Sequence, residues 1–410
     1  MRESIERERY YRRGLGLKAE VKPVLESEYG SDLVRAIKDG DFSLRVGRIH
    51  FRMARSLGFC YGVDRAVEYA YETCRKFADR DIYLIGEIIH NPHVNRQLQE
   101  MGITFLYPDR KGTFDFGGID RSAVVIIPAF GVKLQDLEAL REIGCVLVDT
   151  TCGSVLNVWK RVESYARDGF TAVIHGKYWH EETRATSSQV RKRRGGAYLI
   201  VRDMAETELV CSFIEGKLDA RTLMGRFRDR CSEGFLPERH LGRIGVANQT
   251  TMLASESLAI AHRLGQAIAA RYGERELPER FRSFDTICSA TQDRQDAVLE
   301  LMREPPDLMI VVGGYNSSNT NHLAHICAGR ARTFHIETAA CIDPAAGTIS
   351  HKRILGDDIV LERGWLPEGE VRIGLTAGAS TPDSLIGETV ERILRLAGYD
   401  PAEALARGAA

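Results

Sequence analysis

The 410-residue sequence has no apolar run approaching the ~20 residues that a membrane-spanning helix needs, so no helical membrane protein is expected. It also lacks a surplus of either charge. Lys plus Arg is 56 and Asp plus Glu is 57, a net charge of −1, without the basic excess of a general nucleic-acid binder. Its nine cysteines include no CxxC pair, which excludes a zinc ribbon and a clustered ferredoxin motif. No Walker A motif is present, and no GxGxxG stands between a strand and a helix, so ATP and NAD are disfavoured. Proline is sparse at 12 against 38 glycines, which suits an α/β enzyme with many tight turns. The N-terminal stretch MRESIERERYYRRGLGLKAEVKP has no apolar h-region and mixes Glu with Arg. Neither a secretory signal nor a transit peptide is read there, and a reducing cytoplasm is the expected setting.

Length alone predicts two to three domains, at roughly 150 residues each. Residues 1–48 are polar and charged, with a helix-like stretch near Ser31–Lys38, and are read as an N-terminal extension. From there, short apolar runs alternate with amphipathic stretches. Strands are expected at Ile82–Ile85, Ala123–Ile127, Val146–Val148, Ala172–Ile174, Tyr198–Val201, Ile244–Ala247, Leu308–Val312, Thr333–Ile336 and Arg372–Leu375. Helices such as Val63–Ala78, Leu134–Ile143, Val155–Ala166, Glu256–Arg271, Gln292–Met302 and Ser384–Leu396 lie between many of them. That alternation predicts an α/β fold built on mainly parallel sheets. In such sheets, ligands bind where strands end and helices begin. The run Arg191–Arg194 is read as an exposed loop, residues 212–241 as an irregular insertion, and residues 399–410 as a frayed tail.

Three cysteines share one context. Cys60, Cys152 and Cys288 each stand where an apolar-containing stretch runs into a turn and an amphipathic helix begins. Their spacings of 92 and 136 residues are each about one α/β unit. Arranged about a pseudo-threefold axis, three such units would bring the thiols to one point. Three thiolates could hold a [4Fe–4S] cluster with one iron left open, and helix N-termini would favour the anion. On spacing alone the plainer reading, cysteine as a small buried apolar residue, stands ahead. It is also the reading kept for Cys74, Cys145, Cys211, Cys231, Cys327 and Cys341.

Polar motifs follow five of the expected strands. They carry His90, then His180 with Glu182, then Gln249 to Thr251, then Ser317, Ser318 and Asn319, then Ser380. Each alone is weak: a lone histidine is commonly structural, and Ser-Ser-Asn or Ser-Thr-Pro reads as a helix start. Together, hydroxyls, an amide and imidazoles at helix N-termini suit a phosphate or diphosphate. If residues 180–182 are extended, His180 and Glu182 point to one face. A carboxyl group in a dehydrated pocket can be tuned to deliver protons.

The set LGFCYGVDRA, IIHN, DTTC, HEET, NQTT, TICSATQDRQ, VVGGYNSSNTN and GLTAGAST resembles the 4-hydroxy-3-methylbut-2-enyl diphosphate reductase family, in the family's order and over about residues 50–398. The long N-terminus and residues 212–241 resemble its cyanobacterial and plastid branch. The resemblance implies three similar α/β domains in a pseudo-threefold trefoil around a central cluster, here residues 49–152, 153–284 and 285–398. It implies Cys60, Cys152 and Cys288 as ligands of a [4Fe–4S] cluster with one open iron. Glu182 matches the acid that relays protons and Thr250 the hydroxyl near the substrate's C4 oxygen. His90, His180, Ser317, Ser318, Asn319 and Ser380 match the residues that hold the diphosphate. The implied reaction is the reductive loss of the C4 hydroxyl, the last step of the methylerythritol phosphate route to isoprenoids. Its electrons are expected from a ferredoxin or flavodoxin partner. A bacterial cytoplasm is expected, with the plastid stroma as the alternative. Two positions depart from the family pattern: Phe130 stands in PAFGV where many members have histidine, and Gly153 where many have proline.

Overall fold

The computed structural model describes residues 9–110 and 112–402. They form three β-sheets with helices between the strands. The first has the order Tyr10–Tyr11, Val146–Asp149, Val124–Ile127, Ile82–Ile85, Thr104–Leu106. The second runs Phe281–Ser283, Ile244–Asn248, Thr171–His175, Tyr198–Val201, with every strand parallel to its neighbour. The third has eight strands. Its centre is the parallel set Arg332–Ile336, Leu308–Val312, Val371–Ala377, Ile49–Met53, and its margins are antiparallel. The fold is therefore α/β with mainly parallel sheets, as the alternation of apolar runs predicts. The central strands are buried along their whole length, for example Leu308–Val312, because helices cover both faces of a parallel sheet.

The chain divides into two compact units that interleave along the sequence. Among the described residues, one holds 9–12, Tyr83–Gly86 and Phe105–Cys288; the other holds Arg13–Ile82, Glu87–Thr104 and 289–402. In the first unit, the second sheet packs Val173, Leu199, Val201, Ile244 and Val246 against Val210, Ile260 and Leu264 of helices Met204–Ile214 and Ala254–Tyr272. In the second unit, Phe51, Ile310, Phe334, Ile373 and Leu375 pack against Leu385, Val390 and Ile393 of helix Asp383–Leu396.

Three stretches differ from their sequence reading. Within residues 1–48 lie helices Lys18–Tyr29 and Asp32–Asp39 and strand Ser43–Val46. Ser31 caps the second helix by accepting the Val34 N–H at 3.2 Å. That helix puts Leu33, Val34 and Ile37 into the core of the second unit, beside Leu44 and Val46. Each such side chain contributes about 1.5–3 kcal/mol on burial, so the segment is part of the core rather than an appendage. Residues 212–241 hold helices Ala220–Phe227 and Pro237–His240, with Leu223, Phe227 and Phe235 in the core of the first unit. Arg226 and Arg230 reach the buried Glu206 at 3.0 and 2.5 Å and anchor the segment. Tyr399, expected to fray, lies against Gly47, whose φ of +54° and missing Cβ leave room for the ring, and its hydroxyl accepts the Arg48 N–H at 3.0 Å. The rest of the expected tail, residues 403–410, lies outside the described residues, as do residues 1–8 of the extension.

Candidate active site

In the first unit, strand Thr171–His175 leads through a short loop to His180, the N-cap of helix Glu181–Ser188. The segment is therefore not extended, and His180 and Glu182 sit on the first turn of a helix. His180 Nδ1 accepts the Glu182 N–H at 3.1 Å. An accepting ring nitrogen carries no proton, so the neutral ring presents its N–H from Nε2. The Phe130 ring meets the His180 ring edge to face, with centroids 6.2 Å apart.

Glu182 is 3% exposed, and its carboxylate is held by Thr250, 68 residues away. Oε1 accepts the Thr250 N–H at 2.5 Å, and Oε2 accepts the Thr250 hydroxyl at 2.9 Å. Thr250 lies in the turn between strand Ile244–Asn248 and helix Ala254–Tyr272. Gln249, named in the NQTT motif but given no role there, crosslinks the two turns. Its Oε1 accepts from Lys177 N–H and from the Thr183 hydroxyl, each at 3.1 Å, and its Nε2 donates to the Thr251 hydroxyl at 3.0 Å. Gly176 makes this approach possible, because a Cβ there would stand 2.7 Å from Thr183 Oγ1. The Cys288 N–H donates to the Thr250 carbonyl at 3.2 Å, so one candidate ligand is tied by its backbone to the turn that holds Glu182.

In the second unit, the polar turns gather at the C-terminal ends of the parallel strands Leu308–Val312 and Val371–Ala377. Ser317 caps helix Ser318–Ala328, accepting the Thr320 N–H at 3.3 Å, so the capping reading holds for this serine. Ser317, Ser318 and Asn319 are buried. The Asn319 side-chain oxygen accepts the Ala379 N–H at 3.0 Å, and the Cys60 N–H donates to the Ala379 carbonyl at 3.0 Å. Ser380 is not a helix cap, since Pro382 is the residue before helix Asp383–Leu396. Its hydroxyl instead donates to the His90 carbonyl at 3.1 Å, while Asn91 Nδ2 donates to the Ser380 carbonyl at 2.7 Å. His90 Nδ1 lies 3.0 Å from Glu87 Oε2. This unit thus brings Cys60, His90, Asn319 and Ser380 into one bonded set beside the N-terminus of helix Ser318–Ala328, a geometry suited to an anion.

The helix starts set three of the nine cysteines apart; partial exposure does not, since Cys74, Cys231 and Cys341 share it. Burial pushes the thiols of Cys74 and Cys145 up to about 11, and those of Cys211 and Cys327 up to about 12, which keeps them protonated and poor ligands. Cys60, Cys152 and Cys288 are each partly exposed. Cys60 and Cys152 are the N-cap residues of helices Tyr61–Lys76 and Gly153–Arg167, and Cys288 directly precedes helix Ser289–Leu301. Accessible sulfur donors at positive helix ends fit an iron–sulfur cluster.

The profile of the family described as LytB protein matches residues 51–394. The chain is 46% identical over 390 residues to the 4-hydroxy-3-methylbut-2-enyl diphosphate reductase of Synechococcus sp. (strain CC9605), covering 95% of this chain and 96% of that protein. This chain belongs to the LytB family. It is also 47% identical over 393 residues to the reductase of the same name from Gloeobacter violaceus, covering 95% of this chain and 93% of that one. A solved structure of (E)-4-hydroxy-3-methyl-but-2-enyl diphosphate reductase aligns with a TM-score of 0.52 at 27% identity, covering 84% of this chain and 98% of that chain. The corresponding reductase from Plasmodium falciparum aligns at 0.61 with 22% identity, over 84% of this chain and 87% of its own, and shares the fold. Among the described residues no helix is long and apolar enough to cross a membrane.

Proposed function

We propose that this chain removes the C4 hydroxyl of (E)-4-hydroxy-3-methylbut-2-enyl diphosphate by reduction, giving isopentenyl and dimethylallyl diphosphate. One molecule of substrate takes up two electrons and two protons and releases one water. The observation that carries this reading is the buried Glu182 carboxylate with both oxygens held by Thr250, in a chain of the LytB family. A bound [4Fe–4S] cluster with Cys60, Cys152 and Cys288 as ligands would supply an open iron as Lewis acid and pass in electrons singly.

The protein's own residues do the rest. Ser317, Ser318, Asn319 and Ser380 offer hydroxyl and amide donors, and His90 and His180 their imidazoles, so the diphosphate is held without a lysine cluster. Once Glu182 has taken up a proton from solvent, it donates to the Thr250 hydroxyl instead of accepting from it, and Thr250 passes its own proton to the departing oxygen. Water leaves, and the allylic carbanion-like product is protonated at either of two carbons. The electrons come from outside, and a ferredoxin or flavodoxin is the donor we assign. The cyanobacterial relatives support a bacterial cytoplasmic setting, with the plastid stroma as the alternative.

The test is spectroscopic. The full chain, purified without oxygen, should show an iron–sulfur absorption and paramagnetic resonance spectrum that shifts when the substrate is added. A spectrum indifferent to the diphosphate would leave a non-catalytic iron–sulfur protein and overturn the reading.

A further inference from the structure

Asp149 ends strand Val146–Asp149, three residues before Cys152, and is 6% exposed. Its two oxygens serve different parts of the first unit. Oδ1 accepts the Thr151 N–H at 3.0 Å and the Thr151 hydroxyl at 2.5 Å. Oδ2 accepts the Tyr10 hydroxyl at 2.6 Å and faces Arg12 Nε at 3.2 Å. One carboxylate therefore joins the N-terminal strand to the turn that delivers Cys152.

The N-terminal partner is small. Tyr10 and Tyr11 pair in parallel with Leu147 and Val148, and the Leu147 N–H donates to the Arg9 carbonyl at 2.8 Å. A two-residue strand contributes little by itself, so its side-chain contacts decide whether it stays. The Tyr10 ring lies under the Arg141 guanidinium at 5.3 Å, and its hydroxyl is spent on Asp149. On the other side the turn is fixed by its backbone: the Thr150 N–H and hydroxyl both donate to the Ile127 carbonyl, at 3.1 and 2.7 Å, and the Cys152 N–H donates to the Ala129 carbonyl at 2.8 Å. Asp149 is the side-chain link between that turn and residues 9–12.

We propose that Tyr10 and Arg12, acting through Asp149 and Thr151, are positioning residues for Cys152. They fix the turn from which the Cys152 side chain leaves, one step further out than the hydrogen-bonded neighbours of metal ligands, whose loss costs roughly 10–100-fold in metal affinity. The inference rests on Cys152 being a cluster ligand, and it gives part of the N-terminal segment a role at the site.

Tyr10→Phe removes one hydroxyl and keeps the ring, so the strand pairing and the stacking on Arg141 remain. Two readouts are taken on the full chain. In the metal-free chain, the alkylation of Cys152 by iodoacetamide is followed by mass spectrometry, with Cys288 in the same sample as reference. In the chain purified without oxygen, iron release to a chelator is timed. Tyr10→Phe should raise the Cys152 to Cys288 alkylation ratio severalfold and speed iron release about tenfold, with the thermal midpoint unchanged. Asp149→Asn, which keeps an acceptor for Thr151 but turns an amide donor toward Tyr10 and Arg12, should do the same. An alkylation ratio and a release rate equal to those of the unmodified chain would overturn the proposal. A chain that carries no iron or sulfide would instead defeat the functional reading, and the alkylation ratio would still decide whether Tyr10 sets the Cys152 thiol.

Discussion

Replacing Glu182 by glutamine isolates proton delivery from architecture. The carboxylate accepts two hydrogen bonds from Thr250, at 2.5 Å from its N–H and 2.9 Å from its hydroxyl. A glutamine can keep the first through its amide oxygen. It can keep the second by reversal, its NH₂ donating to the Thr250 oxygen, because a hydroxyl both donates and accepts. The pair therefore survives as a contact, but no ionisable proton remains behind Thr250. Two charge-assisted bonds become neutral ones, each weaker by about 1 kcal/mol, and the loss is offset in part because a buried charge is no longer desolvated. In a chain of this size the thermal midpoint should move by no more than a few degrees. Turnover should fall at least ~100-fold, the low end for removing a general acid and about 2.7 kcal/mol of barrier. The assay is anaerobic steady-state reduction of the diphosphate by a chemical one-electron donor, with iron content measured on the same preparation. Full iron content, KM within about threefold and turnover within about threefold of the unmodified chain would refute the role of Glu182.

Three further perturbations bear on separate parts of the account. Cys152→Ser should cost the anaerobically purified chain its brown colour and most of its iron, and a full iron complement would contradict the ligand assignment. Phe130→His places a donor where the Phe130 ring now packs edge to face with His180; KM for the diphosphate should drop roughly tenfold, the size of one charge-assisted hydrogen bond, and an unchanged KM would mean that this position does not face the anion. Burial holds His335 at about 4, below the ordinary imidazole value near 6.5, while its Nε2 lies 2.9 Å from the Gly313 carbonyl at the start of the Ser317 turn. Between those two values the unfolded chain binds a proton that the folded chain refuses, so this contribution is complete above about pH 6.5 and is lost as pH falls toward 4, at most about 3 kcal/mol. Urea unfolding of the chain and of His335→Gln at pH 7 and 4.5 should show the gap between them narrowing at the lower pH, and a gap independent of pH would refute it.

What could be read in advance follows from locality. Tyr198–Val201 and Leu308–Val312 are continuous apolar runs with turn residues beside them, and they are strands over those residues. Helix Leu134–Ile143 ends where Gly144 takes a φ of +78°, a local stop signal. Strand Ile49–Met53 escaped because its partner, Val371–Ala377, is more than three hundred residues away, and only that pairing places it in the third sheet. Strands Thr348–Lys352 and Ile359–Arg363, at the antiparallel margin of the third sheet, mix polar with apolar residues and give no clear period. Helix Asp32–Asp39 was visible, but its burial was not, since Leu33, Val34 and Ile37 in a charged stretch do not reveal what they pack against.

The site divides in the same way. Motifs marked Glu182 and Thr250, yet the bond between them, and the role of Gln249 in bracing both turns, exist only after two strands lie side by side. The extended reading of His180 and Glu182 failed because His180 caps the helix with its own ring nitrogen, an option that periodicity does not register. The link from Tyr10 to Asp149 spans 139 residues and joins a segment that composition alone marks as an extension.

Product analysis tests the whole reading in one step. The full chain, purified and held without oxygen, is mixed with a reduced one-electron donor and (E)-4-hydroxy-3-methylbut-2-enyl diphosphate, and the organic products are identified by mass spectrometry. The account requires that isopentenyl and dimethylallyl diphosphate accumulate as the donor is oxidised, two electrons per molecule. Iron-loaded, reduced protein that returns the diphosphate alcohol intact would contradict it.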